Sequence, residues 1–400
     1  MTAAGAGRAS TAVTGRDIVC LSTQYWDERR FRKQEFMSRF SRENRVLFVE
    51  PSYSMARSPE RHVRAFATNR FLVPRLEQRD DRLHLLKPPR GLPKWSDPRV
   101  ERATYAWYGR VVQRAIERLR FRDVLLWVYA PAYVHGLGAI RHRHLVFDLV
   151  DDLAAYGGDE SAASSHLGGS VERLVRRCDL LVVSAATLLD TYGALARRVV
   201  QISNGYDAEL FSRTTAVGAD DPLPDVPRPI LGFVGTIFRF LDFELLEHVA
   251  RVHADKSLVL VGPVEATARA PLERLMRHPN VVHVASRPRS EIPRYVAVFD
   301  VCLNPFRRSR VADSVNPLKV YEYLAAGKPV VSTPMEALRR EPAGSMVAFA
   351  GDGADFCAAI DRALADGMNA AEARRAAAAP YSWDRLFSRL DAACAESLAG

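Results

Sequence analysis

A chain of 400 residues with 48% hydrophobic and 26% charged residues has the composition of a soluble globular protein of two or three domains. The formal charge of +9 allows an anionic small substrate or an anionic membrane surface. Without a nucleic-acid motif, or basic residues interleaved with aromatics, it gives no reason to expect a nucleic-acid partner. No apolar run reaches the roughly 18–20 residues that span a bilayer. The five cysteines are scattered without metal or disulfide spacing, and no metal is expected. Met1 to Gly15 lacks the apolar core of a signal peptide and reads as a disordered tail, which makes the chain cytoplasmic, with a peripheral contact at the inner face of the membrane left open.

In chain order, Asp17–Thr23 predicts a buried strand. Glu28–Arg42 predicts a helix with Phe31, Phe36 and Phe40 as its apolar stripe, and Arg45–Glu50 a second strand. Strand, helix, strand at this length is a βαβ unit, the element of parallel sheets. Arg70–Pro74 and Leu83–Lys87 read as extended pieces, Asp97–Leu119 as a long helix, and Asp123–Tyr129 and His144–Leu149 as strands. A helix near Ser170–Arg177 leads into a strand at Leu180–Ser184, and another strand covers Val199–Ile202. The proline-rich stretch from Ser212 is a linker. Alternation then restarts with strands at Pro229–Val234, Leu258–Val261, Val281–Val284, Asp300–Phe306 and Pro329–Thr333. Helices are expected at Asp242–Ala254, Ser290–Val298, Asp352–Leu364, Ala370–Ala379 and Trp383–Leu398. The fold class is α/β. Its domains are residues 16–211, a linker at 212–228, residues 229–380, and a C-terminal segment at 381–400.

Chemistry concentrates in Ser314–Val331. Asn316 is placed to cap a helix and Pro317 to occupy its first position. Gly327 suits the left-handed residue that ends it, and Pro329 stops it from resuming. The free amides at such a helix start attract phosphate. Lys319 and Glu322, three apart, are neighbours on one face. A carboxylate one turn in can accept from the two hydroxyls of a ribose; the alternative is a Lys–Glu pair facing water. In open parallel sheets ligands sit at the carboxyl ends of the strands. That directs attention to Ser22–Trp26, Tyr129–His135, Asp148–Asp152, Ser184, Ser203–Asp207, Gly235–Phe240, Gly262–Glu265 and Pro305–Asn316. Asp148, Asp151 and Asp152 follow a buried strand and could hold sugar hydroxyls or act as a base, or else form an acidic cluster at a helix start. His135 is a further catalytic candidate. The basic loop Arg307–Arg310 offers counter-charge, or is a solvated turn.

Read together, these segments resemble the retaining group 1 (family 4) GT-B glycosyltransferases. The carrying motifs are Ser203-Asn204-Gly205-Tyr206-Asp207, Leu231-Gly232-Phe233-Val234-Gly235, Leu260-Val261-Gly262-Pro263, Ile292-Pro293-Arg294-Tyr295, Phe299–Phe306 and Val320–Val331. Phe147–Asp152 and Asp242–Leu246 are similar to a branch typified by teichuronic acid biosynthesis glycosyltransferases. The resemblance implies two Rossmann-like domains facing across a cleft, with the C-terminal helix crossing back to the first. It implies a metal-independent transfer of sugar, with retention, from a nucleotide-sugar donor. The acceptor would be a glycan, a lipid-linked sugar or a small molecule. UDP-, GDP- and dTDP-sugars are not distinguished, and no other cofactor is implied. Glu322 matches the ribose-binding glutamate, and Asn316, Pro317 and Leu318 the helix start that faces the diphosphate. Gly235, Thr236, Arg239, Gly262, Arg307 and Lys319 complete the expected donor contacts. Where the family often has a second glutamate this chain has Ser314, and the Arg and Lys that usually follow the second domain's Val-Gly are absent. A sugar-nucleotide 2-epimerase of the same fold, or a relative that binds without turnover, are the alternatives.

Overall fold

The computed structural model describes residues 12–27, 30–51, 73–89, 98–152, 162–212 and 221–398. They form two units. One takes the chain up to Ser184, then Leu188–Ile202 and the segment from Phe387; the other takes Ala185–Thr187 and Ser203–Leu386.

In the first unit, β1 (Asp17–Leu21), α1 (Arg32–Phe40) and β2 (Arg45–Val49) form the expected βαβ start. The chain continues through β3 (Arg75–Gln78), β4 (Leu83–Lys87), α2 (Pro98–Arg118), β5 (Leu125–Val128) and β6 (His144–Leu149). It completes the sheet with α3 (Ala162–Arg177), β7 (Leu180–Val183), α4 (Ala186–Tyr192) and β8 (Val199–Gln201). The sheet order is β3-β4-β2-β1-β5-β6-β7-β8, parallel except for β3, which runs antiparallel on β4. The first extended piece was expected at Arg70–Pro74; the edge strand lies at Arg75–Gln78, while residues 70–72 fall outside the described residues. β1, β5 and β7 are buried along their whole length. That explains their unbroken apolar runs, because a parallel sheet is covered on both faces.

Two expectations need correction here. The tail was expected to be disordered through Gly15. Val13 is instead buried, its amide donates to Asp391 Oδ1 at 3.0 Å, and its carbonyl accepts from Asn44 Nδ2 at 2.8 Å; residues 1–11 lie outside the described residues. The boundary between units falls after Ile202 rather than at Ser212. Tyr206, Phe211 and Leu223 explain this, because all three are buried in the hydrophobic core of the second unit.

The second unit opens with α5 (Ala208–Ser212) and β9 (Ile230–Val234), then α6 (Phe243–Val252), β10 (Ser257–Val261), α7 (Arg269–Leu275) and β11 (Val281–Val284). Next come α8 (Ile292–Val298), β12 (Val301–Asn304), α9 (Arg310–Ser314), α10 (Leu318–Ala325) and β13 (Val330–Ser332). It ends with α11 (Glu336–Arg339), β14 (Val347–Phe349), α12 (Gly353–Asp366), α13 (Ala371–Ala378) and the start of α14 (Trp383–Leu398). All strands are parallel in the order β11-β10-β9-β12-β13-β14. This is the doubly wound order 3-2-1-4-5-6, whose switch point lies between β9 and β12. Asp242 caps α6 by accepting from the Leu245 amide at 3.0 Å.

Along α10, Val320, Tyr321, Glu322, Tyr323 and Leu324 are all buried. The helix is enclosed nearly all round, and the Tyr323 hydroxyl accepts from the Val234 amide at 2.8 Å. Gly327 takes φ +77°, the left-handed end expected there, with the Lys328 amide returning to the Tyr323 carbonyl at 3.0 Å.

Candidate functional site

The switch point of the second sheet gathers most of the predicted donor residues. Gly235 and Gly262, just beyond β9 and β10, have φ +149° and +151°. A Cβ on Gly262 would stand 1.9 Å from the Gly235 carbonyl oxygen, so the two strand ends can approach only as glycines. Lys319 reaches this floor from α10. Its Cε would be 3.1 Å from a Cβ on Gly235, and its ammonium lies 5.2 Å from the Phe233 ring centre and 4.6 Å from that of Phe306. Rings from β9 and from the end of β12 therefore hold the cation at the switch point. Burial pushes the Lys319 amine down to about 8, partly opposed by the charge of Glu322.

Glu322, one turn further along α10, is 3% exposed, which overturns the water-facing alternative. Arg289 Nη2 lies 2.8 Å from Glu322 Oε1, close enough for an ion pair but outside hydrogen-bond alignment. Arg289 stands on a 3₁₀ turn, Arg289–Glu291, after β11. Sequence reasoning missed it: an arginine near the start of an ordinary helix carries no local signal, and the β11–α10 proximity that gives it meaning is a property of the fold.

Asn316 does not cap α10. Pro317 is the N-cap residue, with no side-chain capping bond, and Leu318 is the first helical residue. The Asn316 side chain is turned away, its Nδ2 donating to Glu341 Oε1 at 3.2 Å. The loop expected at Pro305–Asn316 contains α9, capped by Ser309, whose Oγ accepts from the Ala312 amide at 3.1 Å. Ser314 closes that helix, its Oγ donating to the Val311 carbonyl. Arg307 is exposed, and its amide donates to the Phe240 carbonyl at 2.8 Å. Arg239 is also exposed, with its guanidinium over the Phe240 ring. Thr236, half-buried, follows Gly235. The exposed arginines thus line adjoining loops, while Lys319 supplies the desolvated charge.

In the first unit the carboxyl ends of β1, β5 and β6 adjoin, since these strands pair in that order. Asp148, at 0% exposure, is taken up by Arg32: Nε donates to its two oxygens at 3.0 and 3.1 Å, and Arg32 Nη1 donates to the Ile202 carbonyl at 2.6 Å. Asp148, expected as a substrate-facing carboxylate, is here the buried counter-ion of Arg32. Asp148→Ala leaves a buried guanidinium without its counter-ion and is expected to cost about 3–5 kcal/mol of folding stability. Urea unfolding measures this, and a loss below about 1 kcal/mol would show the pair to be dispensable.

Asp151 is half-buried, and burial raises its carboxyl, opposed by Lys33 and Arg32. Asp152 is buried. Lys33, in the first turn of α1, went unnoticed in the sequence because it stands in a run of charged residues that reads as a solvated face. It is 7% exposed, its ammonium is 4.9 Å from the Tyr129 ring centre, and burial lowers its amine. His135 is half-buried on the 3₁₀ turn Pro131–His135, packed against α2 and α3. Among the described residues no three His, Cys, Asp or Glu side chains come together as a metal-binding group. All five cysteines are buried and unpaired.

Two doubly wound α/β units, the second with a cation and a buried carboxylate one turn apart at its switch point, have the architecture of the GT-B fold. Residues 228–366, within the second unit, match the family described as Glycosyl transferases group 1. A curated relative, TuaH of Bacillus subtilis (strain 168), named as a teichuronic acid biosynthesis glycosyltransferase, is 30% identical over 228 residues. The match covers 54% of this chain and 57% of the relative, so it spans little more than half the relative's length. Among solved structures, sucrose-phosphate synthase from Thermosynechococcus elongatus superposes with a TM-score of 0.71 at 13% identity, covering 94% of this chain and 97% of that one. Anabaena Alr3699/HepE, in complex with UDP and glucose, gives 0.66 at 15% identity, with 95% and 100% covered. At such identities these two structures speak to the fold alone.

Proposed function

We propose that the chain is a glycosyltransferase that moves a sugar from a nucleotide-sugar donor to an acceptor hydroxyl. The observation that carries this reading is the placement of half-buried Lys319 and buried Glu322 on α10 at the switch point of the second sheet. Glu322 accepts from the two ribose hydroxyls, and Arg289 yields to them or shares the carboxylate. Lys319 and the start of α10, which no side chain caps, face the diphosphate, where negative charge develops as the sugar leaves. The bond between the anomeric carbon and the diphosphate oxygen breaks, and the nucleoside diphosphate departs with the bonding pair. The acceptor oxygen bonds the same carbon and gives up its proton to the departing diphosphate oxygen. In the first unit, Lys33 and Asp151 are the polar groups that fit an acceptor. The likeness to a teichuronic acid enzyme favours a cell-surface polysaccharide or its lipid-linked precursor over a small molecule.

A thermal-shift panel of UDP-, GDP-, dTDP- and ADP-sugars tests the donor site. One of them is expected to raise the melting temperature of the wild type and to leave that of Glu322→Ala unmoved, because a ligand bound only by the native state must stabilise it. If none of the four stabilises the wild type, the reading fails.

A further inference from the structure

Glu341, between α11 and β14, is 6% exposed and has been assigned no role so far. Three side chains from distant parts of the second unit donate to it. Ser203 Oγ reaches Oε1 at 2.7 Å, Asn316 Nδ2 reaches the same oxygen at 3.2 Å, and Tyr381 Oη reaches Oε2 at 2.9 Å. Asn204 Nδ2 adds a bond to the Asn316 carbonyl at 2.8 Å. The Tyr381 ring stacks on Tyr321 of α10, centroids 4.2 Å apart at an interplanar angle of 16°. The segments around Ser203 and Tyr381 are tied together by backbone: the Tyr206 amide donates to the Tyr381 carbonyl and the Trp383 amide to the Tyr206 carbonyl, both at 3.0 Å. Gly205 between them has no room for a Cβ, which would stand 2.5 Å from the Tyr381 carbonyl oxygen.

We propose that Glu341 is a positioning residue for the donor site: it holds Asn316 away from the start of α10 and so keeps the amides ahead of Val320, whose own amide is taken by the Pro317 carbonyl at 3.1 Å, open to a diphosphate. The inference rests on the donor-site reading above. An asparagine at the cap position turns its side-chain oxygen onto the first-turn amides; Asn316 stands one residue ahead of the cap, Pro317, and would have to swing into that position to do so. Here Asn316 Nδ2 donates to Glu341, its backbone carbonyl accepts from Asn204, and Oδ1 is left buried with no hydrogen bond of normal geometry. An orphaned buried oxygen carries a cost that the chain could escape by capping. The carboxylate prevents that escape, and its three donors from separate segments fix where Asn316 sits.

The test compares a nucleoside diphosphate with its own nucleoside, using whichever of UDP, GDP, dTDP and ADP binds the wild type best by calorimetry. Glu341→Ala is expected to weaken the diphosphate about tenfold or more, the worth of a hydrogen bond to a charged group, while the nucleoside changes less than about threefold. Glu341→Gln keeps an oxygen for Ser203 and Asn316 and an amide that can donate to Tyr381, and is expected to restore the ratio. If Glu341→Ala does not fold, Ser203→Ala and Tyr381→Phe each remove one donor and should shift the same ratio severalfold. A parallel loss of both ligands, no loss of either, or a Gln variant as weak as the Ala variant would overturn the positioning role. Absence of binding of all four diphosphates to the wild type would instead overturn the donor site itself.

Discussion

Glu322→Ala is expected to lower kcat/KM for the nucleotide sugar by about 10²–10⁴-fold, since two hydrogen bonds from a ribose to a carboxylate are worth about 1.5–3 kcal/mol each. The loss should fall on the nucleoside as much as on the intact donor, because Glu322 addresses the ribose alone. Folding should suffer little. Arg289, the partner left behind, keeps 31% of its side chain exposed and can be hydrated. Glu322→Gln retains one acceptor oxygen and should fall between wild type and alanine. Steady-state kinetics with the donor varied, together with calorimetry on the nucleoside, measure both effects. A change below threefold in each would remove Glu322 from the site.

Lys319 gives the donor site a pH dependence of defined sign. Its amine is pushed down from 10.5 to about 8 by burial, and the ammonium is the form that attracts a diphosphate. Donor affinity should therefore be level below pH 8 and weaken as pH rises through it, approaching tenfold per unit. Lys319→Arg keeps its charge at every pH and should flatten the profile. Lys319→Met should bind weakly, and equally so, throughout. Folding stability must respond in the opposite sense. Between about 8 and 10.5 the unfolded chain holds more protons at Lys319 than the folded one, so its contribution to stability grows with pH across that window. Calorimetry from pH 6.5 to 9.5 beside unfolding curves at the same values separates the two. A wild-type profile that stays level through pH 9 would exclude Lys319 as the titrating cation.

The alternation of strands and helices was legible because each buried parallel strand must be an apolar run and each intervening helix must break it. Val281–Val284 and Trp383–Leu398 coincide with the sequence expectation to the residue. β3 was misplaced because a half-exposed, charged edge strand, Arg75 to Gln78, has no apolar period to betray it. α9 was read as loop, its capping serine lying among arginines. The site divides in the same manner. Lys319 and Glu322 were visible because they lie three residues apart on one helix. Arg289, Lys33 and Glu341 acquire meaning only when remote segments meet. Asp148 shows the converse: an acidic residue at the end of a strand looked available because its partner, Arg32, stands more than a hundred positions earlier. The expected asparagine cap failed for the same reason, since Glu341 competes for it from outside the local sequence.

The first unit is finished by residues near the far end of the chain. Phe387 lies 4.8 Å from the Phe40 ring centre, Leu390 and Cys394 are fully buried, and Asp391 receives the Val13 amide. During synthesis, every strand of the first sheet leaves the ribosome well before the helix that seals its interior. The second unit, contiguous apart from three residues, has no such wait. Its folding can precede that of the part made first, whose core stays unsealed until the segment from Phe387 has been made. A chain cut short after its last strand would leave the opening βαβ unit without its cover.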